Sequence, residues 1–94
     1  MKTDLVLLDF WAPGCAPCHV LSKELEELAK EWGEILKIEK INTDEDVEKA
    51  CEYMIRGLPT VVLLLEGQEQ ARWTGQASSE EIDEALRQII DLRA

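Results

Sequence analysis

Cys15 and Cys18 stand two residues apart and His19 follows at once, giving "CAPCH". Three kinds of chemistry use that spelling. A C-x-x-C pair at a strand–helix junction is a redox dithiol, while C-x-x-C-H is an attachment signature of c-type haem. With Cys51 as a further ligand the same residues are a candidate zinc set. The dithiol reading draws on the physics of helix starts. The first turn of a helix has unpaired N–H groups and the positive end of the macrodipole. Both stabilise a thiolate at Cys15 and make it a nucleophile near neutral pH. Cys18 is one turn along on the same side, placed to attack a mixed disulfide formed at Cys15. Pro17 lacks an N–H where the first turn needs none.

The competing readings ask for more than the residues offer. Haem needs His19 as axial ligand, a second ligand such as Met54, an export route and a crevice that this strand-rich pattern does not suggest. Zinc needs adjacent Cys18 and His19 to converge on one ion, and it needs Cys51, which falls on an apolar helical stripe. Inert core cysteines are a poor fit as well, because Pro13 and Gly14 set Cys15 at an exposed turn.

The elements that must position this motif follow from periodicity. Leu5 to Trp11 reads as a strand, with Leu5, Leu7, Asp9 and Trp11 on one face and Val6, Leu8 and Phe10 on the other. Both faces are apolar apart from Asp9, as in a central strand covered on both sides. A helix is expected from about Cys15 to Trp32, with Leu21, Leu25, Leu28 and Trp32 on its inner face and Gly33 closing it. Ile35 to Ile41 reads as a second strand. The next helix is expected to open at Thr43 or Asp44, to bury a stripe of Val47, Ala50, Cys51 and Met54, and to stop at Gly57. "TVVLLL" (60–65) and a strand near Glu69–Thr74 form a hairpin around Glu66-Gly67. Ser78 and Glu81 are spaced as a capping box for a last helix burying Ile82, Leu86, Ile89 and Ile90. The expected fold is α/β, in the order β-α-β-α-β-β-α, with a four-stranded mixed sheet and helices on both faces.

Composition sets outer limits. Ninety-four residues, 46% hydrophobic and 32% charged, suit one globular domain, 1–94. A formal charge of −10 argues against nucleic acid or an anionic membrane as partner, since phosphate binding needs Lys and Arg. The apolar run before Asp9 is four residues long, too short for a signal-peptide core or a membrane span. With only three cysteines, two of them in C-x-x-C, the expectation is a cytoplasmic, reducing setting and a catalytic pair.

From Leu5 onward, "LLDFWAPGCAPC", "KINTDED", "IRGLPTVVLLLEGQ" and "WTGQASSEEI" resemble the thioredoxin family in order and spacing. The family begins with an extra strand and helix ahead of the D-F-W-A strand, so the chain resembles its minimal four-stranded, three-helix core. The resemblance implies that Cys15 attacks and Cys18 resolves. It implies that Pro59, after a cis bond, packs beside the dithiol and presents the Leu58 backbone to an extended substrate segment. Asp9 matches the family's buried carboxylate. Independently, a lone carboxylate on an apolar strand should have its pKa raised by desolvation, which suits proton exchange with Cys18. Ala16, Pro17, Leu58 and Gly75 match the flat surface where partners dock, and Lys40 the lysine near the aspartate. His19 is an exposed residue able to tune the thiolate, Trp32 and Trp73 are packing residues, and burial is expected for Cys51. Gly75 has a plainer reading as a bulge in the fourth strand.

Two positions depart from the family pattern. Gly14 replaces the usual tryptophan before the first cysteine, and Ala16 replaces the usual glycine after it. Losing the indole removes part of the docking surface, so partner choice and redox poise are the properties it affects. The implied function is that of a monomeric protein-disulfide reductase, with no bound cofactor and with electrons supplied by a thioredoxin-reductase-type donor. A glutaredoxin-like protein reduced by a small thiol and a non-catalytic interaction module are the alternatives. An intact C-x-P-C and G-x-P-T argue against the second.

Overall fold

The structure, a computed structural model, describes residues 4–75 and 77–93. Strand β1 (Leu5–Trp11) leads into helix α1 (Ala16–Trp32), and a single 3-10 turn at 33–35 precedes β2 (Leu36–Asn42). Then come α2 (Val47–Glu52), β3 (Thr60–Leu65), β4 (Gln68–Thr74) and α3 (Ser79–Arg93). The strand order is β2-β1-β3-β4, with β1 parallel to β2 and antiparallel to β3, and β3 antiparallel to β4. This is the expected mixed sheet with β1 inside it.

The two faces of β1 feed two separate cores. Leu5 and Leu7 join Leu21, Leu25 and Leu28 of α1 and Ile82 and Leu86 of α3, so α1 and α3 cover one face. Leu8 and Phe10 join Ile41, Val62 and Leu64 on the other. The alternation read from 5–11 is therefore real, and its single polar interruption, Asp9, points toward α1.

Local signals set the ends of α1 and α3. Cys15 is the N-cap of α1 in an extended conformation, and Gly33 (φ 69°) closes the helix with its N–H on the Ala29 carbonyl. The backbone N–H of Glu81 donates to Ser78 Oγ at 3.2 Å, and the same hydroxyl lies 3.2 Å from Glu81 Oε1.

The second helix differs from expectation. Its N-cap is Asp46, whose Oδ1 accepts from Lys49 N at 3.1 Å, not Thr43 or Asp44. Thr43 instead donates its hydroxyl to the Trp11 carbonyl, and Asn42 Oδ1 caps Asp44 N. The helix ends at Glu52 rather than at Gly57, and Met54 takes a left-handed conformation (φ 52°). With only six helical residues, the four-residue stripe loses its geometry. Val47, Cys51 and Met54 are exposed, so burial of Cys51 is corrected. Tyr53, Ile55 and Leu58, in and beyond the helix's terminating turn, cover that face of the sheet. The bulge also lies elsewhere: the β3–β4 register shifts at Leu63/Leu64, while Gly75 (φ 84°) sits just past β4. Among the described residues, no helix is long and apolar enough to cross a membrane.

Candidate functional site

The site forms where β1 hands over to α1. The Cys15 N–H donates to the Ala12 carbonyl at 3.0 Å, which folds the Pro13-Gly14 turn and sets Cys15 at the head of the helix. Cys15 and Cys18 are joined as a disulfide with their Cα atoms 5.3 Å apart. The two sulfurs are not equivalent. Cys18 is completely buried, whereas Cys15 is half-exposed. Cys18 N–H donates to Cys15 Sγ at 3.3 Å. That atom is a disulfide sulfur here and becomes the thiolate on reduction, when a charge-assisted bond from the same N–H is stronger.

Asp9 lies on the inner side of the motif. It is fully buried, and Ser22 Oγ donates to its Oδ2 at 2.5 Å. Ser22 is one turn beyond Cys18 on the buried face of α1, so the helix face that carries Cys18 also carries the partner of Asp9. Burial pushes the Asp9 carboxyl above its ordinary value of 3.8; the Ser22 hydrogen bond and the Lys40 charge pull it back in part, and Glu26 pushes it up. Lys40 is across from Asp9 in the β1–β2 register but acts on it only through its field. Its ammonium lies 3.7 Å from Glu26 Oε1 and 5.6 Å from the centre of the Trp11 ring.

The second wall of the site comes from the start of β3 and the end of β4. Pro59 is buried behind a cis Leu58–Pro59 bond, and its carbonyl accepts the Gly75 N–H at 2.8 Å. Pro17, Val20, Leu58, Pro59, Gly75 and Ala77 line an open groove of about 630 Å³ beside the dithiol, with Glu24 and Glu81 on its walls. Val20 is 61% exposed, so an apolar side chain stands in solvent at the mouth of this groove. Ala16 is exposed on the first turn but does not line the groove. His19 is exposed too; its Nε2 donates to the Pro13 carbonyl at 3.0 Å and its ring meets Trp11 edge-on. Trp32 and Trp73 pack against the α1/α3 core, and Trp32 Nε1 also donates to Asp83. Cys51 lies exposed on α2 and takes no part in the disulfide.

Ser22 and Glu24 were not singled out from the sequence. Ser22 had a signal: a polar residue four positions after Cys18, on the face occupied by Leu21, Leu25 and Leu28. Glu24 had none, because a helical glutamate in an acidic chain is ordinary.

Comparison with known proteins decides what this arrangement is. The family profile described as Thioredoxin matches residues 1–88. The chain belongs to the thioredoxin family. It is 39% identical over 86 residues to thioredoxin of Bacillus subtilis, covering 92% of this chain and 83% of that one. It is 42% identical over 64 residues to thioredoxin of Griffithsia pacifica (68% and 59% covered) and 38% identical over 85 residues to the chloroplastic M-type thioredoxin of Pisum sativum (90% and 49%). The matched segment thus spans 59% and 49% of the length of the last two relatives. Among solved structures, thioredoxin-2 of a malaria parasite superposes with a TM-score of 0.86 at 27% identity, covering 94% of this chain and 85% of that one. Thioredoxin of Fasciola hepatica gives 0.80 at 30% identity, covering 92% and 82%. The thioredoxin fold therefore has here its four-stranded mixed sheet and three helices, and the C-x-x-C pair of the family is Cys15–Cys18.

Proposed function

We propose that this chain is a thioredoxin-type thiol–disulfide oxidoreductase that reduces disulfides in extended segments of other proteins. The observation that carries the proposal is the unequal exposure of the two bonded sulfurs, with the exposed one at a helix N-cap.

In the reduced protein, the Cys15 thiolate attacks one sulfur of a substrate disulfide. The other substrate sulfur leaves as a thiolate, and Cys15 is left in a mixed disulfide. Cys18 then gives its proton to the Asp9 carboxylate, and its sulfur attacks Cys15 Sγ. The second substrate thiolate departs, and the two electrons supplied by the dithiol have passed to substrate. The product is the Cys15–Cys18 disulfide described above. A reductase of the thioredoxin-reductase type returns two electrons and two protons. No bound cofactor takes part.

Docking uses the groove beside the dithiol, where Pro17, Leu58 and Gly75 meet the substrate chain and the backbone at Leu58 pairs with it. Ala16 adds to the apolar surface around Cys15, while Lys40 and His19 tune the site from its edges. Val20 extends the same surface. The test is reduction of a disulfide-bearing protein by the reduced chain. Substrate thiols should appear while the chain loses two of its own. A chain that loses no thiols while substrate is reduced overturns the proposal.

A further inference from the structure

Asp9 has two carboxyl oxygens in different situations. Oδ2 accepts the Ser22 hydroxyl at 2.5 Å, while Oδ1 is buried with no hydrogen-bond partner among the described residues. A carboxylate is planar, so fixing one oxygen fixes the direction of the other. Ser22 is itself buried, 6% exposed, and belongs to the helix that carries Cys18 one turn earlier. The geometry points to Ser22 as a positioning residue: its hydroxyl holds Asp9 Oδ2, leaving Oδ1 as the oxygen that takes the Cys18 proton during resolution.

The proton balance is simple. The Cys18 S–H bond breaks, an O–H bond forms at Oδ1, and the sulfur keeps the electron pair with which it attacks Cys15 Sγ. Ser22 keeps its own proton throughout. A hydroxyl that donates to a carboxylate favours the ionised form, so it keeps Asp9 able to accept a proton despite burial. The other groups acting on Asp9 are few. Along α1 there is Glu26, and on β2 Lys40; β3 places Val61 opposite, and α3 brings Ile82 and Leu86 to the same core. Ser22 is the one described side chain that makes a hydrogen bond to the carboxyl.

The inference rests on the proposed role of Asp9 as acceptor, and the experiment separates the two. Cys15 is loaded with a coloured aromatic thiol as a mixed disulfide, and release of that thiol by Cys18 is followed from pH 5 to 9. In the unaltered protein the rate should rise as Asp9 ionises and then level off. Ser22→Ala should move that rise to higher pH, slowing release about tenfold below it while leaving the high-pH plateau unchanged. Ser22→Thr, which keeps the hydroxyl, should restore the original profile. Because the added methyl of threonine sits in a buried place, the Asp9 carboxyl is also titrated by NMR in Ser22→Ala, where its midpoint should rise. Ser22→Ala that matches the unaltered protein in both measurements overturns the inference, as does a slowing equal at every pH. Asp9→Asn should remove the Asp9-dependent rise, leaving only the titration of Cys18 itself. If Asp9→Asn leaves the profile unchanged, the acceptor role falls. If it alters the profile while Ser22→Ala does not, only the Ser22 inference falls.

Discussion

Cys18 is sealed in the protein while Cys15, bonded to it, is half-open to solvent. A folded substrate can therefore reach only one of the two sulfurs. Cys15→Ser should abolish reduction of protein disulfides. Cys18→Ser should complete the first attack and stop, accumulating mixed disulfides that non-reducing electrophoresis resolves and a strong reductant releases.

The exposed position of Cys51 on α2 leads to a count of thiols. With Cys15 and Cys18 in their disulfide, the native chain should be labelled once by a maleimide, rapidly and at Cys51. Reduction should raise the accessible number, and unfolding the reduced chain should give all three. Cys51→Ser should remove the first label and leave disulfide reduction within about twofold of its original rate, since exposed substitutions away from special features change little.

The raised pKa of Asp9 has a consequence for stability. The folded chain holds that proton to higher pH than the unfolded chain does. The stabilisation is complete below the unfolded value and is lost as pH rises through the raised folded one. Asp9→Asn does not titrate there. Urea unfolding of the two oxidised proteins should therefore show the variant gaining relative to the unaltered chain across that window. Above the raised folded value of Asp9 it should be at its greatest relative advantage. The same substitution should slow turnover.

Gly14 is the position where the family's usual tryptophan is missing. A Cβ built there meets no atom within 4 Å, and its φ is outside the left-handed range, so nothing in the turn demands glycine. Gly14→Trp should fold with a stability change of no more than about 0.5 kcal/mol. By adding an aromatic face next to Cys15 it should lower KM for protein disulfides by about two- to tenfold, with less effect on a small disulfide reagent. Steady-state kinetics on both substrates checks this.

What was legible in the sequence and what was not divides along physical lines. Strand β1 and helix α1 announce themselves because each has a long, unbroken period and a terminal signal: Pro13-Gly14 after the strand, Gly33 after the helix. The apolar residues between 47 and 54 suggested an inner stripe, but that inference assumes a helix long enough to present one. Asp46 opens the helix late, and the turn at Met54 closes it early. The residues that meet the sheet are then Tyr53, Ile55 and Leu58, whose spacing has no helical period. The dithiol was readable as a local motif. The Ser22–Asp9 bond was not, since its partners are 13 residues apart and meet only when α1 lies across β1.

Strand β1 carries one more consequence. Its Asp9 Oδ1 and Trp11 Nε1 are the two buried side-chain polar atoms without hydrogen-bond partners among the described residues, two positions apart on the same face. Each such atom costs about 1–3 kcal/mol. A strand selected for robustness alone would carry apolar side chains at both places. The fold tolerates them because β2 and β3 hold this strand from either side. The least comfortable part of the described molecule therefore coincides with its chemistry. An engineer who cures that discomfort to raise the melting temperature should expect to gain a sturdier protein and a slower one.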